Sequence, residues 1–348
     1  MTDILENSEE TKLNKPNFEI SSDQSKNDKE VIKKDFIPHF FPTYRTRRKI
    51  YPIPIVLVVI VAGFLAYLTY IEAGIRYDGG YFSEREMGAL GGLLNGLIYT
   101  ALAVISAFII IFIIKKKGIG VLMYIFGFSF ALIGFFQTWF FGQIIIGLLF
   151  YKFPFLYYTF FFELIFLTGI FTVIMIYQYF TSKSIKTKNF IVLYIGLLIG
   201  ASMGVLMPLW TTLAILIGIS CWDIFAVLYK HGPIKQLIDI ASMSGNGDVI
   251  EEELVKQKIA DGEFEYDTSK LEIGIGDLAF YSMLTSSALV QTNNLLVMIF
   301  TALAILVGVG ITISGLKKNK ILPGLPISIF LGIGTMILSW YLISTFLV

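Results

Sequence analysis

Three acids stand inside long apolar stretches of this sequence: Asp223 in ISCWDIFAVLY, Asp277 in LEIGIGDLAFYS and Glu163 in FFFELIF. An ionisable group within a bilayer costs about 2.5–3.5 kcal/mol on insertion scales, so each is a functional candidate. Two of them share a depth. Asp223 lies about six residues before the end of its stretch, roughly 9 Å in, and Asp277 about five residues after the start of its own, roughly 8 Å in. The two helices would run in opposite directions, so as neighbours they would bring both carboxylates to one level. Two carboxylates in contact do not both ionise cheaply, and one keeps its proton while the other carries charge. The charged member then takes a proton from water and the neutral member gives one to a peptide carbonyl oxygen, the division of labour used by aspartic proteases. That chemistry needs no metal, no nucleophilic side chain and no cofactor. Glu163 has no partner at its depth and reads as a polar helix contact or a cavity-facing group.

The elements that must hold these acids follow from composition. The chain has 348 residues, 55% hydrophobic and only 15% charged, with a mean hydropathy of +0.74. A soluble domain is about 25% charged, and a fold of this size has too little polar surface to cover so much apolar side chain. Soluble enzymes and disordered proteins are excluded. Divided at about 20 residues per span, the apolar content fills around nine transmembrane helices. Apolar stretches place them near 51–73, 89–114, 119–142, 155–180, 190–207, 209–229, 272–291, 294–315 and 323–346. Apolar sequence runs on from the third to Phe150, enough for a short interfacial helix. With the amino terminus cytoplasmic, 24 of the 27 basic residues fall on the cytoplasmic side and only Arg76, Arg85 and Lys152 on the other. That asymmetry is what the positive-inside rule demands, and it places the carboxyl terminus outside. The expected fold is therefore all-α and polytopic, with a polar, disordered cytoplasmic tail over 1–50, a scaffold over 51–207 and a catalytic half over 208–348. No apolar run follows Met1, so no cleavable signal peptide is expected. A net charge of +1 implies no nucleic-acid partner, and the single Cys221 allows neither an internal disulfide nor a cysteine metal cluster.

The surroundings of the two aspartates suit an extended peptide. Gly274 and Gly276 strip side chains from one face just before Asp277, so another backbone can approach. Leu322-Pro323-Gly324-Leu325-Pro326 opens the ninth span at the same cytoplasmic level, and its prolines keep that start irregular. Within the polar insertion 230–271, Phe264 and Tyr266 alternate with Glu263, Glu265 and Asp267, a short strand pattern that could template substrate unwinding by edge pairing. Ile234–Ala241 could form an interfacial helix. Gly196, Gly200 and Gly204 on the fifth span, and Gly92 and Gly96 on the second, read as close helix contacts.

Taken together, Trp222-Asp223 followed by Gly232-Pro233, Gly274-Ile-Gly276-Asp277 with Phe280-Tyr281-Ser282, and Pro323-Gly324-Leu325-Pro326-Ile327-Ser328 resemble the three signatures of the presenilin and signal peptide peptidase family. The resemblance covers about 209–346 by motif and the nine spans by topology. It implies an intramembrane aspartyl endopeptidase with Asp223 and Asp277 as the catalytic pair. It also implies that Pro323, Gly324 and Leu325 help hold the substrate, a transmembrane or remnant signal helix; Gly274, Gly276 and Pro326 are the further substrate-binding candidates beside them. Trp222 stands where the family usually has Tyr, and Gly324 where it usually has Ala. The run Lys230-His-Gly-Pro-Ile-Lys235 leans toward presenilin, and the compact single chain looks most like archaeal members, hence a prokaryotic cell membrane. Lipid and substrate helices are the expected partners; a homo-oligomer stays open and no obligate subunit is evident.

Other readings are weaker. A proton-coupled transporter could use the same acids as a relay, but its inverted repeats would place helix breaks in both halves, and here they gather after residue 209. An inert scaffold would not need both acids. Gly200-Ala-Ser202-Met-Gly204 matches G-x-S-x-G by letter, yet it lies within a span rather than on a strand-to-helix elbow. His39 and His231 fall outside the spans and there is no HExxH, so serine and zinc proteolysis are set aside.

Overall fold

The computed structural model describes residues 30–32, 42–75, 79–118, 120–229, 264–266, 270–316 and 324–346. Two short strands come first, β1 (Glu30–Ile32) and β2 (Thr43–Arg47). A 3-10 turn at Arg48–Ile50 leads into α1 (Pro52–Tyr67), which ends in a π-helical turn at Leu68–Glu72. A single turn, α2 (Glu84–Met87), precedes α3 (Ala89–Lys117), α4 (Val121–Phe150), α5 (Pro154–Thr181), α6 (Ile185–Leu206) and α7 (Leu209–Leu228). Strands β3 (Phe264–Tyr266) and β4 (Lys270–Gly274) follow, and then α8 (Ile275–Thr292), α9 (Leu295–Leu316) and α10 (Gly324–Phe346).

Eight of these helices are long and apolar enough to cross a bilayer. The eighteen-residue α8 is not among them, and its position explains why. From Leu278 to Val290 every residue but Phe280 is buried, in contact with α6, α1 and α9. A helix clothed by protein need not be apolar all round, and α8 carries Ser282, Thr285, Ser286 and Ser287 in its buried surface. Helices α3, α4 and α5, by contrast, present most of their side chains outward, as lipid-facing helices do.

Four sequence expectations change. Apolar residues 143–150 continue α4 as one unbroken helix instead of forming a separate interfacial one. Helix α6 begins at Ile185, because Lys186 and Lys188 sit in its first turn. The seventh span does not start as helix at 272: residues 270–274 are strand, paired antiparallel with β2 from Thr43↔Gly274 to Arg47↔Lys270. That pairing also draws Thr43–Arg47 out of the expected disordered tail. The strand read at Phe264 and Tyr266 is present, and its partner is β1, in parallel. Strand β1 likewise lies within that tail, while residues 1–29 and 33–41, Ile234–Ala241 and most of the 230–271 insertion lie outside the described residues.

Glycine contacts hold the core. A Cβ on Gly200 would run into Ser282 and the Ala279 carbonyl, and one on Gly204 into Ser286, so α6 and α8 touch backbone to backbone. The same holds between α3 and α7, where Gly92 meets Trp210 and Gly96 meets Ala214. Small residues at such spacing permit the close approach that lipid alone does not drive. At this same end of α7, the Glu84 carboxylate accepts the backbone N–H groups of Trp210 (3.2 Å) and Thr211 (2.5 Å), satisfying orphan donors of that helix.

Candidate active site

Asp223 projects from α7 a turn and a half before its end, and α7 owes its position to α3 and α10. Trp222 beside it packs edge-on to Phe108 of α3, ring centroids 5.7 Å apart, so this aromatic serves helix packing. Asp277 is the third residue of α8, whose cap is Gly274, the last residue of β4. From that position its carboxylate lies close to Gly274, where a Cβ would sit 3.8 Å from Oδ2. The two acids lie within electrostatic reach of each other.

The start of α10 closes the site. The Leu325 backbone N–H donates to Asp223 Oδ2 at 3.3 Å, a donor left over in the first turn of its helix. A Cβ on Gly324 would sit 3.8 Å from Asp277 Oδ2, and one on Gly274 would sit at the same distance from that oxygen. Asp223, Asp277, Gly274, Gly324 and Leu325 are thus brought together. Gly276 lies at the exposed edge with only Phe280 near, and Pro326 is buried behind Leu325. Pro323 lies outside the described residues. Glu163 is not part of this cluster, for it stands on the exposed face of α5.

Tyr281 follows Asp277 by one turn and is buried, its hydroxyl 3.5 Å from Ser328 Oγ on α10. Ser328 Oγ in turn contacts the Gly324 carbonyl at 3.4 Å. These are long contacts, weak as hydrogen bonds but consistent with α8 and α10 packed side by side. Sequence reasoning missed the residues that fix β4: Pro42, Thr43, Arg45 and Asn189. The alternation in Thr43-Tyr-Arg-Thr-Arg47 was the available signal, masked by its basic composition.

The arrangement sets two carboxylates beside the end of a short strand and the start of α10. Comparisons with known proteins agree with the motifs. The family model described as Presenilin matches residues 52–250 and 244–347. Presenilin-B of Dictyostelium discoideum is 36% identical over 148 residues, covering 40% of this chain and 27% of that protein. A presenilin-like protein of Arabidopsis thaliana is 26% identical over 329 residues, covering 74% of this chain and 80% of its own length. Both relatives are eukaryotic, so the expected archaeal likeness finds no support in them. With family matches from the first apolar helix to the last, the chain belongs to the presenilin family.

Proposed function

We propose that the protein is an intramembrane aspartyl endopeptidase, with Asp223 and Asp277 sharing one proton. The observation that carries this reading is the meeting of α7, α8 and α10 at the two acids, with the Leu325 N–H on Asp223 and Gly274 and Gly324 beside Asp277. One aspartate takes a proton from water as the water oxygen bonds to the scissile carbonyl carbon. The other gives its proton to the carbonyl oxygen, forming a gem-diol. Collapse of the diol returns a proton to the departing nitrogen as the C–N bond breaks, leaving a carboxylic acid and an amine.

A helical substrate hides its carbonyls, so it must be drawn out first. Among the described residues β4 pairs only with β2, and its outer edge runs straight into Asp277. An extended segment added there would lie beside the dyad, with backbone bonds replacing those lost from the helix. The substrate class is then a transmembrane helix able to unwind near its cytoplasmic end.

The test is incubation of the purified protein with a labelled single-span peptide in vesicles, products read by mass spectrometry, with and without a hydroxyl-bearing transition-state mimic. Cleavage that the mimic suppresses is expected. Proton-driven solute uptake without any peptide product would support the transporter instead.

A further inference from the structure

Strand β2 is fastened more firmly than its length suggests. The Arg45 backbone N–H donates to Asn189 Oδ1 at 2.8 Å, and the Arg45 carbonyl accepts from Asn189 Nδ2 at 2.7 Å. The side-chain amide of α6 stands in for a neighbouring strand and closes the outer edge of β2 at that rung. With its own backbone turned to Asn189, Arg45 faces Glu272 as a non-hydrogen-bonded pair, the kind with the closest side chains. Its Nε lies 3.1 Å from Glu272 Oε1, while the Thr43 hydroxyl donates to Glu272 Oε2 at 3.0 Å. Both carboxylate oxygens are occupied, with the pair only 17% and 24% exposed. At one end of β2 the Pro42 carbonyl accepts the Ile275 N–H at 3.1 Å, two residues before Asp277. Just beyond the other, Arg48 donates to the Ile313 carbonyl of α9.

A ladder of backbone bonds repeats every second residue, so by itself it does not distinguish one register from the next that keeps the same face. A side-chain pair at a single rung does. We propose that Arg45, Asn189 and Glu272 form a register clamp that fixes β4 along its own axis, and thereby selects which peptide bond of a docked strand meets the dyad. They are positioning residues, acting through β4 and touching no reacting atom. The proposal rests on the proteolytic reading above.

The test uses the full chain with a single-span peptide in vesicles, products mapped by mass spectrometry for the wild type, Arg45→Ala, Asn189→Ala, the milder Thr43→Val and the exchanged pair R45E/E272R. The single variants are expected to cleave, with products displaced by about two residues rising about fivefold relative to the main one. The exchanged pair is expected to return the wild-type pattern. An unchanged pattern in every variant, or a changed one that the exchange does not restore, overturns the clamp. Absence of products from the wild type, or equal products from Asp277→Asn, would instead strike the proteolytic reading. Hydrogen exchange at residues 270–274 then decides the clamp by itself: faster exchange in Asn189→Ala supports it, and unchanged exchange overturns it.

Discussion

Gly274 and Gly324 stand on either side of the Asp277 carboxylate, and a methyl group on either would make only ordinary contact with it. Neither glycine adopts a positive φ, so neither is there to relieve backbone strain. On the proteolytic reading, the bare backbone of Gly274, at the end of β4, leaves room for a substrate strand beside the acid. Gly274→Ala is expected to keep its thermal midpoint within about 2 °C while losing roughly tenfold in kcat/KM, mostly through KM. Gly324→Ala, which restores the residue usual in the family, is expected to cleave within about twofold of wild type. Replacing Asp223 or Asp277 by alanine is expected to leave no product above background while the helices still insert, as circular dichroism and size-exclusion profiles would show. Both acids were legible in the sequence, because a charged residue in an apolar run announces itself. The Leu325 amide was not, since a backbone donor leaves no mark on residue type.

Helix α8 depends on what surrounds it. Its contact with α6 runs through Gly200 and Gly204, where no side chain larger than hydrogen fits without shifting Ser282 or Ser286. Gly200→Val should overpack that seam and cost about 1–3 kcal/mol, lowering the thermal midpoint and cleavage together. The same change at Gly147, where a Cβ would meet nothing within 4 Å, should leave both unaltered. The glycine spacing was readable in advance, as were nearly all span positions, because apolar length is written directly in composition. Strand β2 was not readable: its partner lies more than two hundred positions away, and its arginines resemble a solvated tail until Glu272 and Asn189 are beside them. The first turn of α6 was hidden for a related reason, since with Lys186 and Lys188 in it the apolar pattern starts only after the helix has begun.

At the scale of the whole molecule, among the described residues Lys115, Lys116 and Lys117 end α3 and Lys152 stands in the turn between α4 and α5, at the far end of α4 from them. After Cys221→Ser, a cysteine placed at Lys116 should react with an impermeant maleimide only from the cytoplasmic face, and one at Lys152 only from the other. Labelling of both from one side would overturn the orientation read from charge. The placing of the long helices was the easiest feature to extract from the sequence, because it rests on one coarse quantity, apolar length.

The serine- and threonine-rich surface of α8 has a bearing on biogenesis. A segment this polar gains little from lipid by itself, so the translocation machinery has no strong reason to release it into the bilayer alone. Its stable residence awaits earlier-made helices that can receive its hydroxyl-lined faces. The second acid consequently arrives once α1 and α6 can receive its helix, and its surroundings are completed only when α9 and α10, made later, pack beside it.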